Sequence, residues 1–77
     1  MENEKVEALI KAGIPDAQVN VSGDGRHFEV EVVSPAFEGK SLIQRHRMVM
    51  ETVKPQVASD ELHALSIKLA KTPEEAQ

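Results

Sequence analysis

Between Ala17 and Val33 the chain holds two runs in which apolar and polar residues alternate. Ala17, Val19 and Val21 alternate with Gln18, Asn20 and Ser22, and Phe28, Val30 and Val32 alternate with Glu29, Glu31 and Val33. A period of two is the pattern of strands with one buried face. Gly23-Asp24-Gly25 between the runs tolerates positive φ, which predicts an antiparallel hairpin. Before it, Val6, Leu9 and Ile10 recur at helical spacing, with Asn3 as the expected N-cap and Gly13 and Pro15 as the stop. After it, Ser34-Pro35 ends the second strand and Gly39 marks a further turn. From Ser41 to about Lys54, Leu42, Ile43, His46, Val49, Met50 and Val53 fall on one side of a helix, with Gln44, Arg47 and Glu51 opposite. Pro55 ends that helix, and Gln56 to Asp60 are expected to form a short extra turn. His63, Leu65, Ile67 and Leu69 alternate with Ala64, Ser66 and Lys68 as a third strand, and Thr72-Pro73-Glu74-Glu75 has the composition of a helix start. The order is α-β-β-α-β with a vestigial last helix. The expected class is α+β, a two-layer sandwich with helices on one face of a three-stranded sheet.

Seventy-seven residues are expected to form one domain with a thin core, because a chain of this size buries only roughly 60 to 65% of its unfolded surface. There is no cysteine, so the chain offers no disulfide and no thiolate; any soft-metal chemistry needs sulfur from another molecule. Uninterrupted apolar runs such as Ala8-Leu9-Ile10 are far shorter than the roughly 20 residues needed to span a bilayer. Met1-Glu2-Asn3-Glu4 lacks the positive start of a signal peptide, so a cytoplasmic location without membrane association is the expectation. The net charge of -4 is unevenly spread: residues 39–54 carry four bases and one acid, whereas residues 1–38 carry eight acids and three bases. An acidic chain binds polyanions poorly as a whole, although one basic helix can act locally.

Three histidines and three bases carry whatever chemistry the chain has. His63 opens the third strand with the parity of Leu65 and Ile67, which by itself suits a half-buried ring bonded to backbone as well as it suits a ligand. His27 follows the Gly23-Asp24-Gly25-Arg26 turn with parity opposite to Phe28, so regular strand geometry sets it on the face opposite His63. His46 lies within the apolar stripe of the second helix and reads as a core or boundary residue. Arg45 and Arg47 flank that stripe, where a solvated charged face is the ordinary explanation. No nucleophile with a supporting base and orienting acid can be assigned, so no catalytic activity is expected.

One longer signal goes beyond these elements. Phe37-Glu38-Gly39-Lys40-Ser41-Leu42-Ile43-Gln44-Arg45-His46-Arg47-Met48-Val49, followed by His63-Ala64-Leu65, resembles the BolA family, and most closely its short IbaG-like branch. The surrounding elements occur in the family's order over nearly the whole chain. The resemblance implies a fold related to class II KH domains, with the third strand joining a hairpin strand in a mixed sheet. It also implies an adaptor that partners a monothiol glutaredoxin. His63 would ligate a shared [2Fe-2S] cluster, with His27 at the family's variable loop ligand, while the partner's cysteine and bound glutathione supply the sulfur. The cluster would be held only in that pairing, and the chain alone would be a monomer or weak homodimer. The alternative implied by the family is a DNA-binding stress regulator using Lys40, Arg45 and Arg47 for phosphate contact. The Gly23-Asp24-Gly25-Arg26 loop lacks the Gly-x-x-Gly clamp of KH domains, and Phe28 and Phe37 have core-like settings that leave no stacking platform for bases.

Overall fold

The two alternating runs pair as expected in a computed structural model that describes residues 1–77. Strand β1 (Gln18–Gly23) lies antiparallel to β2 (His27–Val33), with Val19 opposite Val32 and Val21 opposite Val30. Strand β3 (Ala64–Lys71) runs parallel to β2, giving a mixed three-stranded sheet in the order β1-β2-β3. The parallel step requires a crossover, which is supplied by helices α2 (Leu42–Thr52) and α3 (Lys54–Ala58). Helix α1 (Asn3–Gly13) precedes the hairpin. Its Val6 and Ile10 are buried with Val19, Phe28, Val30, Val32, Val49 and Val53, so one sheet face is covered and the other is left to solvent. This is the α+β two-layer arrangement, and none of its helices is long and apolar enough to cross a membrane.

Several local details depart from the sequence expectation. Glu2, not Asn3, is the extended residue before α1, and no side chain caps the helix. The backbone oxygen of Glu2 accepts from Lys5 and Val6, while the Met1 amine is held 3.5 Å from the Gly25 oxygen on the hairpin. Helix α2 ends at Thr52 instead of Lys54 because Val53 leaves helical geometry, and α3 restarts at once with Pro55 in its first turn. Proline is favoured there, since the N–H it lacks would have no partner in a first turn. Of the stripe assigned to α2, Val49 and Val53 are buried, but Leu42 and Ile43 are 61% and 66% exposed. Ser41 starts α2 with a capping box: Gln44 N–H donates to Ser41 Oγ at 3.1 Å, and Ser41 N–H donates to Gln44 Oε1 at 2.8 Å.

The parity assigned to β3 holds only for its first half. Val30 pairs with Ile67 but Glu31 pairs with Leu69, leaving Lys68 as one extra residue in the ladder. Such a bulge reverses the faces of everything that follows. Leu65 and Ile67 pack on the core, whereas Leu69 shares the face of Glu31 and Ala70 takes the buried position opposite Val32. After β3 the Thr72 capping box forms, with Thr72 N–H donating to Glu75 Oε1 at 2.8 Å and Glu75 N–H to Thr72 Oγ1 at 3.3 Å. The residues beyond form a turn and not the final helix the sequence suggested.

Candidate functional site

Because β2 and β3 are parallel, their first residues lie side by side at one end of the sheet. His27 is opposite Ala64, and Ala64 N–H donates to the Arg26 oxygen at 3.2 Å, so His63 and His27 flank that junction. His63 does not belong to the strand. Leu62, 1% exposed, fills the core position at this end, and its N–H donates to the Gln56 oxygen at 3.1 Å. The backbone is therefore anchored on both sides of His63 while its ring is exposed. The half-buried reading of His63 is thus corrected: Leu62 takes the interior site that strand parity assigned to the histidine. The same correction removes the parity argument separating the two rings across the sheet, since that argument holds only within a regular strand.

His27 is exposed at the start of β2. The preceding turn is organised by Asp24, whose Oδ1 accepts the backbone N–H groups of Arg26 and His27, each at 2.9 Å. Gly25, with φ of 97°, supplies the left-handed step. The His27 N–H bond, then that of Arg26, holds the Asp24 carboxyl below its ordinary value. His46 is half-buried on α2, consistent with a boundary residue. No group of three or more His, Cys, Asp or Glu residues converges to hold a metal ion. Two exposed imidazoles can each offer one neutral nitrogen, which fits a site whose remaining ligands come from another molecule.

The three bases considered for phosphate contact, Lys40, Arg45 and Arg47, fall into two classes. Lys40 and Arg47 are exposed. Arg45, expected on the helix surface, has a side chain only 12% exposed and its donors are engaged. Nε donates to the Lys40 oxygen at 3.0 Å, and Nη1 donates to the Ala70 oxygen at 3.0 Å and to Glu75 Oε1 at 2.6 Å. Nη2 completes a forked pair with Glu75 Oε2 at 3.3 Å, and the guanidinium lies 5.8 Å from the Phe37 ring centroid. Arg45 thus joins the start of α2, the end of β3 and the C-terminal turn. An open groove of about 450 Å³ between α2 and α3, lined by Arg47, Met50, Glu51, Lys54, Val57 and Ala58, includes neither exposed histidine.

The Arg45 guanidinium, followed by the Thr72 N–H, holds the Glu75 carboxyl down at about 2, below its ordinary 4.5. A carboxyl depressed on folding contributes stability above its ordinary value and loses it as pH falls towards the folded one. Wild type is therefore expected to lose stability between pH 4.5 and about 2 through this group. Glu75→Gln should be less stable than wild type at neutral pH, and the two denaturation midpoints should converge near the acid end of that window. Parallel midpoints across the range would contradict the assignment. Solvent exposure of Glu75 keeps the difference modest.

Comparison with known proteins adds a family to this geometry. The family model described as BolA-like protein matches residues 8–75. The chain is 45% identical over 76 residues to Protein BOLA2 of Arabidopsis thaliana, a match covering 94% of this chain and 80% of that one. It is 36% identical over 75 residues to the acid stress protein IbaG of Escherichia coli strain K12, covering 97% of this chain and 88% of the relative. The solved structure of a bolA protein homologue from Coxiella burnetii superposes with a TM-score of 0.87 at 36% identity, covering 99% of this chain and 96% of that one.

Proposed function

The chain belongs to the BolA family, in its IbaG-like branch, and from that premise we propose that it is a non-catalytic adaptor that pairs with a monothiol glutaredoxin. In that pairing His63, with His27, ligates a shared [2Fe-2S] cluster in iron-sulfur trafficking or iron sensing. The observation that carries this reading is the setting of His63, an exposed ring on a backbone pinned by buried Leu62 on one side and by the Ala64 bond to Arg26 on the other. Such a ring reaches a partner without any ordering of its backbone, and a chain with no cysteine must meet one that brings sulfur. A cluster held partly by imidazole has a raised potential and a ligand set sensitive to pH.

Adding the protein to a cluster-loaded monothiol glutaredoxin is expected to change the visible absorption and circular dichroism of the cluster. His63→Ala should abolish most of that change and His27→Ala part of it, with little loss of stability because both rings are exposed. A His63→Ala protein that reproduces the wild-type spectrum would remove the reading. The duplex-binding alternative gains no support from the placement of Arg45, whose donors are committed within the chain.

A further inference from the structure

Asp24 divides its two oxygens between different tasks. Oδ1 accepts the N–H groups of Arg26 and His27, each at 2.9 Å, which fixes the orientation of the carboxylate on the turn. Oδ2 then lies 3.9 Å from Nδ1 of the His27 ring. That separation exceeds hydrogen-bond length, but a negative charge so near biases which nitrogen holds the proton. In a neutral imidazole one nitrogen donates and the other accepts; a carboxylate beside Nδ1 favours the proton there and leaves the Nε2 lone pair free. Metal-ligating histidines recurrently pair their second nitrogen with a carboxylate in this way.

We infer that Asp24 is a positioning residue for His27, orienting the ring so that Nε2 is the nitrogen offered to the metal shared with the partner. The inference rests on the cluster-sharing role proposed above. It assigns Asp24 a task beyond shaping the turn, and the two tasks are separable by substitution. In Asp24→Asn the side-chain oxygen still accepts both backbone N–H groups, so the hairpin is retained. The amide NH2 replaces Oδ2, and a donor beside Nδ1 favours the opposite tautomer.

The test uses the full chain in two arms. In the first, nitrogen-proton correlation spectra of the cluster-free protein at about pH 8.5 report the His27 tautomer. Wild type is expected to be mostly the Nδ1–H form and Asp24→Asn mostly Nε2–H, with His63 unchanged as the internal control. In the second, the cluster-loaded glutaredoxin is added. Asp24→Asn is expected to lose the same part of the spectral change that His27→Ala loses. The same His27 tautomer in wild type and Asp24→Asn overturns the inference. So does a wild-type cluster spectrum from Asp24→Asn when His27→Ala is altered. If His63→Ala and His27→Ala both leave the cluster spectrum as in wild type, the cluster-sharing role fails instead, and the first arm alone decides whether Asp24 orients the ring.

Discussion

Phe37→Ala is expected to lower the unfolding free energy by about 3 to 5 kcal/mol, the usual cost of truncating a fully buried aromatic ring. Phe37 is 0% exposed and closes the 3-10 turn Pro35–Phe37, which Ser34 caps by accepting the Ala36 N–H at 3.1 Å. Ser34 is itself buried and donates to the Pro15 oxygen at 2.6 Å, so the turn is tied to the α1–β1 connection and has little freedom to collapse into a cavity. At roughly 0.05 to 0.15 kcal/mol per residue, a 77-residue chain has about 4 to 12 kcal/mol in all, and this one side chain accounts for a large share. Urea denaturation followed by circular dichroism should show a strongly lowered midpoint, whereas Phe37→Leu, which keeps much of the volume, should be far milder. A loss below about 1 kcal/mol for the alanine variant would mean that the ring is not part of the cooperative core.

Arg45→Ala is expected to be the second costly change, at about 1 to 3 kcal/mol, chiefly from the unpaired Ala70 oxygen, and to separate structural from nucleic-acid roles of the basic helix. It removes the partner of the Ala70 oxygen, the forked pair with Glu75 and the cation over Phe37 together. Arg47→Ala, at an exposed position, should leave the melting temperature nearly unchanged. A loss of duplex affinity in Arg45→Ala that parallels its loss of fold, with Arg47→Ala retaining affinity, would trace the effect to stability and not to phosphate contact. Equal melting temperatures for the two variants would show that the Arg45 network contributes nothing measurable.

The element order was legible because period-two and period-3.6 patterns in the sequence are direct images of strands and helices. Phe28, Val30 and Val32 could be read as one buried face because nothing interrupts β2. Leu69 could not be placed, because the extra residue at Lys68 arises from how β3 meets β2 and leaves no mark in the alternation itself. Leu42 and Ile43 match a helical stripe, yet which part of that stripe meets the sheet is a tertiary fact. Arg45 belongs to the same category: its partner Glu75 lies 30 residues away, and only the fold brings them together. The Ser41-x-x-Gln44 pattern, by contrast, was available in the sequence and marks the start of α2. At the candidate site, the residue types were visible from the sequence. The exposure of His63 was not, because it depends on Leu62 occupying the interior in its place.

The bulge at Lys68 also bears on self-association. Strand β3 is a rim of the sheet, where the Ala70 oxygen is already taken by Arg45 Nη1 at 3.0 Å. Straight, eight residues of such a rim would template a neighbouring copy and so seed a fibre. An incoming strand would instead have to realign its ladder at Lys68 and displace Arg45 from the Ala70 oxygen. Pairing along this rim would thus meet the same register shift that turns Leu69 outward.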